Sequence, residues 1–217
     1  MKNINTETLT IALAKGRLAD GAVSLLERCG LDCSPLREDT RKLVLYDKTG
    51  AYRFIFVKPS DVPVYVERGA ADAGFTGKDT LMEADGDVCE LLDIKAGKCR
   101  LCIAGFPEKP RIVTPGRLTV ATKYANLARR LFAEKNITAD IITLNGSVEL
   151  GPVIGLSDVI LDIVESGKTL EANGLVVLEE ICGISARFIA NKVSLKTRQN
   201  QIMSLKEKME KIVNGAR

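Results

Sequence analysis

The sequence contains no histidine and no tryptophan in 217 residues. Without imidazole the commonest general base is missing, and with it every Ser–His or Cys–His nucleophile pair. Chemistry on this chain must run on carboxylates, cations, backbone amides and the positioning of substrates. A strong charge excess is also missing: 31 basic residues face 28 acidic ones, a net charge of +3. That excess is too small for a nucleic-acid binder, whose basic surface is clustered. It does suit a protein that reserves a few cations for an anionic small molecule. No apolar stretch approaches the ~20 residues needed to span a bilayer. Residues 1–8 carry one lysine and no apolar core, so no signal peptide is read there and the cytosol is the expected location.

The hydrophobic share of 46% and charged share of 27% are ordinary for a globular protein. The length allows one large domain or two small lobes. Six cysteines stand at positions 29, 33, 89, 99, 102 and 182. Cys99 and Cys102 form a CxxC, but no histidine or second CxxC accompanies it to complete a metal site. They lie in a strand-like run, KCRLCIAGF, where residues three apart face opposite sides. They are expected to be small buried hydrophobes in a reducing compartment.

Strand-like apolar runs alternate with helical spacing throughout, which predicts an α/β sheet protein. Leu9–Ala14 reads as a strand, and apolar residues at 18, 22, 25, 26 and 29 make a helix closed by Gly30. Residues 43–46 and 53–57 are strands joined by a turn at Gly50, and 71–75 is another. Ser60 is expected to cap a helix running to Arg68, with Pro63 in its first turn. After a proline-containing loop (108–116) come strand 118–122, helix 124–135, strand 139–144, helix 148–154 and strand 158–164. Strands 175–181 and 185–190 follow, then a final helix capped by Ser194 with an apolar stripe at 202, 205, 209, 212 and 213.

An internal echo runs through the chain. Residues 69–81 (GAADAGFTGKDTL) and 155–170 (GLSDVILDIVESGKTL) each read Gly, two residues, Asp, an apolar strand, then Gly-Lys and Thr-Leu. The echo points to two similar lobes.

The most informative chemistry is DIVESGKTL, 162–170, directly after the apolar run Val159–Leu161. Gly167-Lys168-Thr169 resembles the end of a P-loop, but the required earlier glycine position holds Asp162. The preferred reading is a phosphate cradle at the carboxyl end of a strand, where open α/β sheets bind ligands. There Gly167 permits close backbone approach, and Ser166, Thr169 and successive amides donate to phosphate oxygens. Asp162, read at the strand's end, would accept from sugar hydroxyls. An ordinary strand–turn–helix capped by Ser166 is the structural alternative. The element is similar to the loop by which phosphoribosyltransferases hold phosphoribosyl pyrophosphate, except that Leu161 replaces the first of the paired acids. Glu149 is a candidate for the missing carboxylate, or else a charge in a helix's first turn. Lys15, Gly16 and Arg17 join a strand to a helix, where amides and cations meet phosphates. Arg41 and Lys42 are read equally well as surface charges.

The segment LNGSVELGPVIGLSDVILDIVESGKTLEANGL (144–175) closely resembles the one that identifies the ATP phosphoribosyltransferase family. ALAKGRL (12–18), TRKLVL (40–45) and SDVPVYVERGAADAGFTGKDTL (60–81) resemble further family elements in the right order. The likeness implies a short-form catalytic subunit with a two-lobed, periplasmic-binding-protein-like (type II) fold and a cleft between lobes. One lobe would comprise 1–92 plus 175–217, the other 93–174. It implies transfer of phosphoribosyl from phosphoribosyl pyrophosphate to adenine N1 of ATP, in the first step of histidine biosynthesis. Arg17 and Arg41 would be catalytic, at the pyrophosphate and triphosphate end. Lys15, Gly16, Glu149, Asp162, Ser166, Gly167, Lys168 and Thr169 would bind substrate. Mg²⁺ is expected on the substrates, with no dedicated protein metal site. The likeness also implies a homodimer within a hetero-oligomer, joined by a regulatory subunit resembling histidyl-tRNA synthetase that carries histidine inhibition. No nucleic acid or membrane partner is expected. Two other readings are a solute-binding protein of the same shape and an inactive regulatory paralogue. The missing signal peptide and the DIVESGKTL loop weigh against the first, and the presence of Arg17, Arg41 and Asp162 against the second.

Overall fold

The computed structural model describes residues 8–38, 40–108 and 118–215. The chain forms two compact units, Met1–Gly97 with Ser185–Arg217 (unit 1) and Lys98–Ile184 (unit 2). Along unit 1 run β1 (Leu9–Ala14), α1 (Arg17–Arg28), α2 (Ser34–Arg37), β2 (Val44–Tyr46), β3 (Tyr52–Val57), a 3₁₀ turn (Pro59–Asp61), α3 (Val62–Glu67), β4 (Ala73–Gly77), α4 (Lys78–Ala84) and β5 (Cys89–Asp93). Unit 2 contains β6 (Cys99–Gly105), β7 (Leu118–Thr122), α5 (Ala125–Glu134), β8 (Ala139–Thr143), α6 (Leu150–Val153), β9 (Val159–Val164), α7 (Lys168–Ala172) and β10 (Val176–Ile184). The chain then returns to unit 1 with β11 (Ala186–Ala190), α8 (Lys192–Thr197) and α9 (Gln199–Val213).

Unit 1 has a six-stranded sheet, order β2-β3-β1-β4-β11-β5, and unit 2 a five-stranded one, order β10-β6-β9-β7-β8. β1 runs parallel to β3 and β4, and β7 parallel to β8 and β9. All six residues of β1 are buried, so the strand has helices or loops over both faces and reads as a continuous apolar run rather than an alternating one. On one face Leu9, Ile11 and Leu13 pack with Leu26 of α1 and with Ile202, Leu205 and Met209 of α9. The predicted α9 stripe is therefore core. On the other face Ala12 and Ala14 pack under Val62 and Val66 of α3.

Three expectations need correction. The segment 175–184, read as part of the first lobe, is β10; it pairs with β6 and belongs to unit 2, while 93–97 stays with unit 1. Ser194 does not cap the final helix. The Asn191 side chain accepts from the amides of Val193 and Ser194, both at 2.9 Å, and the Ser194 hydroxyl donates instead to Asp72 at 2.7 Å. The helix is also interrupted at Arg198, whose guanidinium donates to the Thr8 carbonyl at 2.7 Å and pairs with Asp72 at 3.3 Å. Ser60 caps nothing; it lies in the 3₁₀ turn and donates to Asp61 at 2.9 Å.

The internal echo corresponds to a repeated structural unit. Asp72 and Asp158 each accept the amide of a strand threonine, Thr10 at 2.8 Å and Thr119 at 2.9 Å. Each returns its own amide to the same threonine's carbonyl, at 2.8 and 2.9 Å. Gly69 and Gly155, three residues earlier, end the preceding helices with φ of 71° and 74°, a left-handed turn that favours glycine. Ala71 and Ser157 then occupy equivalent positions, each bonding its amide to the carbonyl six residues back. Both are buried, but the Ser157 hydroxyl has no hydrogen-bond partner among the described residues. A buried unpaired hydroxyl costs about 1–3 kcal/mol. Ser157→Ala, which installs the residue of the twin position, is therefore expected to raise the melting temperature by roughly 2–12 °C. A fall on thermal denaturation would contradict this account of Ser157.

Candidate active site

In unit 1 the ligand end of the sheet is set by β1, β3 and β4, which run parallel and finish together. β1 pairs with β3 through Ala14 opposite Val57, and the Lys15 amide extends the ladder to the Val57 carbonyl at 3.3 Å. Lys15 and Lys58 therefore leave adjacent strands side by side. β2 pairs antiparallel with β3, Val44 opposite Ile55, and the Phe56 amide reaches the Leu43 carbonyl at 2.9 Å. Before β2 the chain bends at Leu43 and the Lys42 amide turns back to the Thr40 hydroxyl at 3.2 Å, so Arg41 lies on the approach to this edge strand, at the end where β3 finishes. Lys15 and Lys58 thus stand just past the ends of neighbouring strands, about 4.8 Å apart, and Arg41 stands three residues before the third. All three are exposed. Cations grouped at one end of a sheet suit a ligand that carries several anionic oxygens.

Gly16 follows with φ 100° and ψ −163°, a conformation essentially confined to glycine. It turns the chain directly into α1, accepting the amide of Ala19 at 2.8 Å. Arg17 is the first residue of α1, and its side chain lies outside the described residues. Lys42 is exposed beside Arg41. Lys58 is a candidate that sequence reasoning missed. Its signal, a lysine just past an apolar strand and before a proline, acquires meaning only once β3 is known to lie beside β1.

In unit 2 β9 continues two residues beyond Asp162, so this carboxylate lies within the strand and not at its end. It stands opposite Cys102 of β6, half-buried, on the face shared with Ile160 and Val164. After the strand, exposed Glu165 and Ser166 lead to Gly167, whose φ of 79° makes the turn into α7. Gly167, rather than Ser166, occupies the N-cap position; the Ser166 hydroxyl reaches the Lys168 amide only at 3.5 Å. Lys168 and Thr169 are exposed in the first turn, while Leu170 is buried and anchors the loop. Glu149 sits at the N-cap of α6 and is half-buried, and its side chain makes no capping bond. Its neighbour Val148 belongs to one buried cluster with Val164 and Leu170, which flank the 165–169 loop. The fold thus brings Glu149, Asp162 and Ser166–Thr169 to one end of unit 2, and Lys15, Gly16 and Arg41 to one end of unit 1.

The cysteines remain outside this chemistry. Burial pushes the Cys33 thiol up to about 11 and also raises Cys102 and Cys29, so these thiols stay protonated. Cys99 and Cys102 lie in β6 as expected, but only Cys102 is buried; Cys99 is half-buried. Among the described residues no group of three or more His, Cys, Asp or Glu is arranged to hold a metal ion. No described helix is long and apolar enough to cross a membrane.

A family model described as ATP phosphoribosyltransferase (HisG) matches residues 58–211. A protein named ATP phosphoribosyltransferase from Caldanaerobacter subterraneus subsp. tengcongensis is 48% identical over 210 residues, covering 96% of this chain and 99% of the relative. One of the same name from Clostridium acetobutylicum is 46% identical over 207 residues, covering 95% and 96%. Among solved structures, a chain of the ATP phosphoribosyl transferase (HisG:HisZ) complex from Thermotoga maritima has a TM-score of 0.82 at 34% identity, covering 96% of this chain and all of that one. The periplasmic VFT2 domain of Bordetella pertussis BvgS has a TM-score of 0.56 at 14% identity, which extends the likeness of fold, and of fold alone, to two-lobed binding domains.

Proposed function

This chain belongs to the ATP phosphoribosyltransferase family, and from that premise we propose how its residues divide the work of the reaction. The enzyme is a pentosyltransferase acting in the first step of histidine biosynthesis. Adenine N1 of ATP attacks C1 of the ribose of phosphoribosyl pyrophosphate. The N1–C1 bond forms as the bond from C1 to the pyrophosphate oxygen breaks. No covalent enzyme intermediate is needed, in keeping with a sequence that lacks a His-activated nucleophile.

The assignment of roles rests on the cations gathered at one end of unit 1. Arg41, Lys58 and Lys15, with Arg17 and the amide next to Gly16, hold pyrophosphate or triphosphate oxygens and stabilise the charge that grows on the leaving group. Ser166, Gly167, Lys168 and Thr169 cradle a phosphate of phosphoribosyl pyrophosphate. Glu149 and Asp162 orient the ribose and favour the positive charge developing on its ring. Mg²⁺ enters bound to the substrates' phosphates, where it screens the repulsion between two polyanions. Holding the two substrates in register contributes up to ~7–11 kcal/mol to such a barrier. The working test is spectrophotometric. ATP, phosphoribosyl pyrophosphate and Mg²⁺ are mixed with the chain, and the ultraviolet change of N1-alkylated adenine is followed for wild type and for Lys58→Ala. An unaltered rate and KM in the variant would remove Lys58 from the site.

We place the enzyme in the cytosol, as a homodimer within a hetero-oligomer. Its partner is a regulatory subunit resembling histidyl-tRNA synthetase, a reading supported by the Thermotoga maritima complex. Histidine is then expected to bind the assembly and not the isolated chain. An effector regulates only by binding two states of the assembly differently, so the partner should also change turnover. Calorimetric titration of histidine checks this; micromolar binding to the chain alone sinks it.

A further inference from the structure

On the far side of unit 1 from α3, a groove of about 290 Å³ opens between α1, the end of α9 and the segment leaving β5. Leu25, Ile94, Ile212 and Val213 give it apolar walls, and Arg28 and Lys95 stand at its rim. Its size is at the lower end of the ~300–1,000 Å³ of small-molecule sites. It accommodates a side chain or two carried in by a protein partner better than a free metabolite.

Two observations indicate that the groove is kept open and what enters it. The first is Gly21, in the interior of α1. A glycine there costs about 0.5–1 kcal/mol of helix stability relative to alanine. Its backbone is ordinary, and an added Cβ would meet only the Ala96 methyl at 3.8 Å, a normal contact. Neither conformation nor crowding demands glycine; what its missing side chain provides is space in the groove. The second is charge. Among the described residues no carboxylate lines the groove. The Lys95 ammonium donates to the uncharged side chain of Asn214 at 2.9 Å, and exposed Arg28 forms no ion pair among the described residues. Two cations that form no ion pair among the described residues, beside an apolar slot, complement an apolar side chain flanked by a carboxylate.

We propose that this groove is a docking site on unit 1 for the regulatory subunit, which inserts an apolar residue next to an Asp or Glu. The site rests on the partner reading above and adds to it a location and a chemistry. Residues 94–96 form one wall and lead directly through Gly97 into unit 2, so an occupant touches the segment that joins the two units.

The test uses the full chain and its regulatory subunit, with binding measured by calorimetry and folding by thermal denaturation. Gly21→Leu fills the slot, and Arg28→Glu reverses a rim charge; neither residue belongs to the active site. Both are expected to weaken association about tenfold or more, as central contacts do, while melting temperatures and the activity of the chain alone hold. Added salt should weaken wild-type binding and matter less for Arg28→Glu. If Gly21→Leu melts early, Arg28→Glu decides alone. Wild-type affinity in both folded variants overturns the groove and leaves the partner standing. A wild-type chain that binds no regulatory subunit overturns the partner reading, and the docking site with it.

Discussion

Replacing Arg41 by alanine is expected to slow single-turnover formation of phosphoribosyl-ATP by on the order of 10²–10³, while ATP binding changes far less. Arg41 lies three residues before β2, the outermost strand of the unit 1 sheet, at the end of the sheet where Lys58 and Lys15 leave β3 and β1. A cation there gains most as negative charge collects on the departing pyrophosphate. Losing such a contact costs about 2.7–4 kcal/mol, in the range measured for a missing oxyanion donor. Because the gain belongs to the transition state, the loss should appear in the rate more than in the ground-state affinity. Arg41→Lys should recover only part of the rate, since an ammonium cannot make the paired contacts of a guanidinium. Rapid-quench measurements at saturating substrates decide the matter, and an unchanged single-turnover rate removes Arg41 from the site.

Asp162→Asn and Thr169→Ala should separate the two halves of the phosphoribosyl site. Thr169 is exposed in the first turn of α7, so losing its hydroxyl leaves the fold untouched and removes one donor to a charged phosphate. A contact of that kind is worth about 1.5–3 kcal/mol, and the apparent constant for phosphoribosyl pyrophosphate should rise roughly 10- to 100-fold with little change in kcat. Asp162→Asn keeps the shape but, in the proposed assignment, removes a charge near the ribose ring, where positive charge grows during reaction. Its kcat should therefore fall as well, by on the order of 10². Melting curves run alongside test for unfolding. Equal losses in both variants that track a drop in melting temperature would falsify the division of labour.

How much of this was legible in the sequence depends on whether a feature is local. β1, β3, β7 and β9 were readable because each is a short, nearly continuous apolar run, and the α9 stripe because its spacing is helical. The repeat was readable as well, since Asp72 and Asp158 each serve the same ladder, and that role fixes both residue type and spacing. Where neighbours compete, the local pattern failed. Ser194 is a good cap by type, but Asn191 has the better position three residues earlier, and Asp72 takes the serine hydroxyl. Partner choice among strands failed too, because nothing within 175–184 records that β10 pairs with β6 rather than with a strand of unit 1. For the same reason the motifs around Lys15 and Asp162 were found while Lys58 was not. A binding protein of the same shape remains close in fold, as the BvgS domain shows, but family membership over nearly the whole chain sets this one among the transferases.

The position of β11 between β4 and β5 bears on how the protein is made. Unit 1 has 97 residues at the start of the chain, yet its sheet contains a strand supplied by Ala186–Ala190. Unit 2 is contiguous and is complete in the nascent chain before that strand has been synthesised. At ~5–20 residues per second, the edges of β4 and β5 wait on the order of 5–20 s for their common neighbour. During that interval they present unpaired, largely apolar strand edges, the kind of surface that recruits another chain. Slowed translation between residues 93 and 190 should therefore lower the soluble yield of the protein more than the same delay placed after β11.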